Sequence, residues 1–75
     1  PQLLEIIEVS SFSSVQRDVL YINAYNIMSI YSLLFLEASA EKTFSFKISH
    51  RTYTLSVLKE FLLLQNKRYA FLLFD

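Results

Sequence analysis

From Val19 to Leu36 the chain runs 18 residues without a charge, and neither Gly nor Pro interrupts it. Nothing in that stretch stops a helix once it has started. A helix that is apolar on nearly all sides is either buried inside a protein or surrounded by lipid. The spacing predicts a helix from Val15 to about Leu36. Ser14 is the expected N-cap, and Asp18 lies near the positive end of the helix dipole. Asn23 and Asn26 share one face with Gln16 and Glu37, while Ser29 and Ser32 drift to another. At 1.5 Å per residue the uncharged run reaches ~27 Å, just under the ~30 Å of a hydrocarbon core. Two central Asn residues count against a membrane span. The flanking cations count against it too, because Arg17 on one side and Lys42 and Lys47 on the other show no clear bias. The expected role is therefore a buried central helix, with a single-pass membrane segment over 19–36 as the lesser alternative. No secretory signal pattern is visible, and the expected compartment is the cytoplasm.

Size makes this apolar helix a problem for the chain. Seventy-five residues and 8.8 kDa allow one domain at most. A chain so short buries only ~60% of its unfolded surface, yet 53% of its residues are apolar and the mean hydropathy is +0.35. Glycine is absent, where ordinary usage of roughly 7% would supply about five. Both features suggest that residues 1–75 are a single domain or domain fragment. They belong to a larger core or pack into an assembly.

Charge and cysteine content exclude several functions. Seven Lys and Arg balance seven Asp and Glu, so the basic footprint of a nucleic-acid binder is missing. Without Cys there is no disulfide framework, thiolate metal site or cysteine nucleophile. A single His, His50, cannot supply a metal site built on two or more His ligands. No cofactor is expected.

The remaining elements follow from local pattern. Residues 1–14 suggest a short helix or an irregular lead-in, then a serine-rich turn around Phe12. Glu37 to Lys42 is a polar exit from the long helix. Thr43 to Ser49 alternates, with Phe44, Phe46 and Ile48 on one side and Ser45, Lys47 and Ser49 on the other, which marks a half-buried strand. His50-Arg51 is the expected turn and Thr52–Thr54 the return strand. Thr54 then caps a second helix, Leu55 to about Gln65, with Leu55, Leu58 and Leu62 as its inner stripe and Phe61 beside it. Asn66-Lys67 ends that helix. Tyr69 to Phe74 is a continuous apolar run, predicted to be a strand buried on both faces. The expected fold is α+β: a long central helix packed on a small mixed sheet, with a second short helix.

Within the long helix, Tyr21-Ile22-Asn23-Ala24-Tyr25-Asn26 resembles the aromatic-hydrophobic-Asn-hydrophobic-Tyr-Asn signature of the domain of unknown function 547 family. Phe12 to Asp18 is similar to that family's lead-in to the same helix. Phe46 to Thr54 resembles its hairpin, and Thr54-Leu55-Ser56-Val57-Leu58 its second helix start. Lys67-Arg68-Tyr69-Ala70-Phe71-Leu72-Leu73 resembles its following strand. The likeness covers about residues 9–75. Three departures stand out. Ser49 and His50 replace hairpin glycines, Lys59 and Glu60 stand where the family tends to carry Glu-His, and the family's cysteine-bearing segment begins at about Asp75. A thiol-based activity, suggested by that Cys and His usage, would lack both parts here.

Candidate sites follow from the same residues. Asn23, Tyr25 and Asn26 form the strongest one, a polar cluster on an apolar helix. Such amides either orient a ligand or tie the helix to neighbouring backbone, and the structural role is preferred, because buried polar groups need partners. Tyr21, Tyr25 and Tyr31 read as core aromatics with bonded hydroxyls. His50 has no orienting carboxylate close in sequence, so it reads as a solvated turn residue. The serines read as caps and turns, and Lys67-Arg68 as a solvated helix end. No catalytic or metal-binding residue is expected. The expected function is a non-catalytic structural or protein-interaction module. Its partner is another protein or the rest of a parent chain, not nucleic acid. The alternative is a fragment of a thiol-dependent hydrolase whose Cys lies downstream.

Overall fold

The computed structural model describes residues 2–37 and 40–74. In chain order the elements are α1 (Gln2–Ile6), a 3-10 turn (Val9–Ser11), α2 (Ser14–Phe35), α3 (Ala40–Thr43), β1 (Ser45–Ile48), β2 (Arg51–Thr54), α4 (Leu55–Gln65) and a 3-10 segment (Lys67–Phe71). The fold is α+β, built around the 22-residue α2.

Helix α2 starts one residue earlier than expected. Ser13, not Ser14, is its N-cap: the Ser13 hydroxyl accepts the Gln16 N–H at 3.1 Å, and the Ser13 N–H donates to Gln16 Oε1 at 3.0 Å. The reason is reciprocity, since only Ser13 has a Gln three residues on to complete the capping box. One face of α2, carrying Tyr21, Ala24, Tyr25 and Met28, is buried against α4 and the hairpin. On α4 the predicted stripe of Leu55, Leu58 and Leu62 faces inward, with Leu58 and Leu62 fully enclosed. Thr54 caps this helix as expected, accepting the Val57 N–H at 3.3 Å.

The hairpin is antiparallel, with Phe46 opposite Tyr53 and Ile48 opposite Arg51. Phe46, Ile48 and Tyr53 point into the core while Ser45, Lys47 and Thr52 face outward. The turn is Ser49-His50, one residue earlier than predicted, and Arg51 belongs to β2. Without glycine, Ser49 itself takes the left-handed conformation at φ 59°, which costs an L-residue roughly 1–2 kcal/mol. A hydrogen bond offsets part of this: the Ser49 N–H donates to the Leu4 carbonyl at 2.8 Å, tying α1 to the hairpin.

Four expectations are corrected. The Tyr69–Phe74 run is not a strand: Lys67–Phe71 is 3-10 helical, Phe71 is 90% exposed, and Leu73 alone is buried from Ala70 to Phe74. Asn66 causes the change. Its Oδ1 accepts the Arg68 N–H at 2.9 Å and turns the chain into a tight helix directly after α4. The sheet therefore has two antiparallel strands among the described residues and is not mixed. The exit from α2 carries a helical turn, α3, that the polar composition of Glu37–Lys42 concealed. Finally, α2 is buried on one side only, with Val15, Val19, Ile27, Leu33 and Leu34 exposed. No helix among the described residues is long and apolar enough to cross a membrane.

A chain of this length holds about 4–11 kcal/mol of total stability. Leu62→Ala, at a fully enclosed site, is expected to cost about 2–5 kcal/mol. Leu64→Ala, two residues away and 86% exposed, should change stability by less than about 0.5 kcal/mol. Denaturant unfolding of both variants checks the assignment of the inner face of α4. Equal losses would contradict it.

Candidate functional site

Asn26 sits at the edge of the buried face of α2 and is half-buried. Its Nδ2 donates to the Leu72 carbonyl at 2.9 Å, and its Oδ1 accepts the Phe74 N–H at 2.7 Å. One amide thus satisfies the carbonyl and the N–H of residues two apart, as a neighbouring strand would. Two turns toward the N-terminus, buried Asp18 accepts the Tyr69 hydroxyl through Oδ2 at 2.7 Å. The C-terminal segment is held to α2 at both points, and the Leu73 side chain enters the core beyond Tyr69. Donation to the Asp18 carboxylate raises the Tyr69 hydroxyl above the usual tyrosine range, because losing the proton would also lose this bond.

Asn23 lies outside this cluster. At 100° per residue it is about 60° further around the helix than Asn26, and it is exposed. The expected burial of both amides therefore holds only in part for Asn26 and not for Asn23. Tyr25 is buried near the middle of that face, about 100° around the helix from Asn26. It lines a cavity of about 370 Å³ with Ser29, Ser32, Leu55, Lys59 and Phe74. Asn23, Tyr25 and Asn26 thus face three directions and do not form one site.

The tyrosines divide as well. Tyr21 is core: its ring meets Tyr53 edge-on at 5.8 Å and lies 5.6 Å from Phe61. Burial first, and then a hydrogen bond with Tyr53, push its hydroxyl up to about 12. Tyr31 is partly exposed and stacks on Phe44 at 5.9 Å. With Ile27, Met28, Phe46 and Lys47 these two line a larger cleft of about 650 Å³.

His50 is exposed, but it has a carboxylate near it in space that sequence proximity did not reveal. Its Nε2 lies 3.5 Å from Glu8 Oε2, and Ser10 Oγ donates to Glu8 Oε1 at 3.0 Å. The Ser10 hydroxyl and backbone, and then His50, hold the Glu8 carboxyl below its usual range. A serine nucleophile needs its hydroxyl on the imidazole, with the carboxylate behind. Here both Ser10 and His50 meet the carboxylate, so no base takes the serine proton. Lys67 and Arg68 are exposed. Among the described residues no group of three His, Cys, Asp or Glu is placed to hold a metal ion.

Three buried polar atoms have no hydrogen-bond partner among the described residues: Arg17 Nε, Asp18 Oδ1 and Ser29 Oγ. One of them belongs to the carboxylate whose other oxygen accepts from Tyr69. Sequence reasoning placed Asp18 as a helix-dipole acid and missed this contact, because its partner lies 51 positions away.

Asn26→Leu is expected to cost about 1–3 kcal/mol, since it strands the Leu72 and Phe74 backbone groups. Asn23→Leu should leave the stability of the single chain within about 0.5 kcal/mol. Urea unfolding under dilute conditions separates the two. For Tyr21 the sign is set by the raised pKa: the neutral phenol is the form the fold favours, so its contribution is complete below the unfolded value near 10. It is lost as pH rises through about 12. A pH titration of the melting temperature should fall over that window, and Tyr21→Phe should flatten part of the fall.

Comparison with protein-family models, with curated proteins and with solved structures gives no match, so the functional reading rests on the contacts of this chain alone.

Proposed function

We propose that this chain is a non-catalytic structural or protein-interaction module. The observation that carries this reading is the amount of large apolar side chain left in contact with solvent, including Leu34, Phe35, Leu64 and Phe71. Scattered apolar residues are ordinary on a protein surface, but contiguous exposed patches mark places where another surface belongs. The C-terminal segment supports the reading further. Phe71 and Leu72 are presented outward because Asn26 and Asp18 hold the backbone and Tyr69 from behind.

The polar geometry supports the non-catalytic part. Ser10, Glu8 and His50 meet in the wrong order for nucleophilic catalysis, and all three are open to water. Balanced charge favours a protein partner over nucleic acid. The resemblance to the domain of unknown function 547 family and an intracellular setting belong to the same proposal.

The test is turnover of ester, amide and thioester substrates by the chain and by its His50→Ala variant. Neither is expected to exceed the buffer rate. Turnover that disappears with His50→Ala would replace this reading with an enzymatic one.

A further inference from the structure

Helix α2 buries one face against the rest of the chain and leaves the opposite face open to solvent. Gln16, Val19, Asn23, Ile27, Ile30 and Leu34 recur at an average spacing of about 3.6 residues, the repeat of a straight helix. At 100° per residue they fall within an arc of about 80°, on the side turned away from α4. The apolar members are open to solvent: Val19 is 51%, Ile27 63%, Ile30 43% and Leu34 67% exposed. Val15 and Leu33 border the stripe and are equally exposed.

The amount of surface and its polar centre indicate what covers it. The six apolar residues alone expose roughly 600 Å², against the ~800 Å² per partner of a standard interface, and exposed Gln16 and Asn23 add to it. A single long helix face of that size suits another helix. Asn23 sits in the middle of it, exposed and flanked by Val19 and Ile27. Buried against an apolar partner, its amide would lose water and gain nothing. An amide carries both donors and an acceptor, so it can satisfy a second amide placed opposite. In an antiparallel pair centred on the apolar members Val19 to Leu34 Asn23 would meet Ile30, whereas in a parallel, in-register pair it meets its own copy. A lone Asn in an otherwise apolar seam selects that register in paired helices. A lipid surface fits poorly, because a membrane-seated helix needs a cationic polar face and Arg17 is the only cation on α2.

We propose that this stripe is the contact of a two-fold homodimer, in which two α2 helices lie parallel and in register with Asn23 against Asn23. The proposal rests on the interaction-module reading and names the partner as a second copy of the chain. The arrangement is isologous, so one patch serves both protomers. It also accounts for the polar residue at the centre of the stripe.

The test is sedimentation equilibrium of the full 75-residue chain, together with crosslinking. The expected mass is that of two chains at micromolar concentration. Ile27→Lys combined with Ile30→Lys should raise the dimer dissociation constant by roughly 100-fold or more, with far-ultraviolet dichroism unchanged because both sites are exposed in the single chain. The chain has no Cys, so Asn23→Cys introduces a single thiol. Mild oxidation should link Asn23→Cys to itself, and Val19→Cys to itself, in otherwise unaltered chains. A monomer at every concentration, a dimer indifferent to the double lysine substitution, or a monomer that binds lipid vesicles would overturn the proposal. So would crosslinking confined to a mixture of Asn23→Cys with Ile30→Cys chains, the antiparallel pattern. A monomer without enzymatic turnover removes the homodimer and leaves the interaction module standing. Turnover dependent on His50 removes the module reading whatever the oligomeric state.

Discussion

The packing of Leu55, Leu58 and Leu62 of α4 onto Tyr21, Tyr25 and Met28 of α2 is the contact on which the rest of this fold depends. A two-stranded hairpin is marginal by itself in water, and α1, α3 and the terminal 3-10 segment are each too short to be stable alone. The hairpin contributes Phe46, Ile48 and Tyr53 to the same apolar cluster. Burial of a Leu or Phe side chain is worth ~1.5–3 kcal/mol, so a cluster of this size can hold four short elements against chain entropy. It cannot also cover the far side of a 22-residue helix. One core that is large enough to fold the chain and too small to enclose its longest helix explains most of what is distinctive about this protein.

How far the fold was legible from sequence follows from which signals were local. The hairpin alternation and the Thr54 cap depend on neighbours a few residues apart, and they placed β1, β2 and α4 to within a residue or two. The inner Leu stripe of α4 follows from helical period alone. Misreadings arose where two local signals competed. Ser13 and Ser14 are both capping residues, and only the position of Gln16 decides between them. At Tyr69–Phe74 aromatic and β-favouring content pointed to a strand, and Asn66, read only as a helix stop, in fact begins the next turn. The missing glycines were read as a departure in the hairpin. The physical consequence is a left-handed serine, held by the hydrogen bond from its N–H to Leu4.

The candidate site was less legible because its contacts span the chain. That Asn26 serves backbone was inferable, since amides on a buried helix tend to satisfy main-chain groups. Which backbone it serves was not, because Leu72 and Phe74 lie 46 and 48 positions away. Asn23 was grouped with Asn26 on the strength of three-residue spacing. Three residues subtend 300°, so two such residues are adjacent and not coincident. At the edge of a buried face that 60° difference decides whether an amide meets protein or water. The Glu8–His50 contact was hidden for a similar reason, since only the docking of α1 against the hairpin brings the serine-rich turn beside His50.

Asn23 and Asn26 therefore show two uses of one side-chain chemistry on one helix. Asn26 faces a segment of its own chain, and its amide replaces the partner strand that the apolar C-terminus lacks. That leaves Phe71 and Leu72 outward instead of paired into a sheet. Asn23 faces solvent, on the side of α2 turned away from the core. Among Val19, Ile27, Ile30 and Leu34 an amide weakens nonspecific apolar association, because any partner without a matching group must desolvate it unpaired. The same amide favours one partner and one register over the many that a plain apolar stripe would accept. A chain with this much exposed apolar surface is exposed to indiscriminate association, and a single polar residue at the centre of its widest apolar face is the smallest change that limits it.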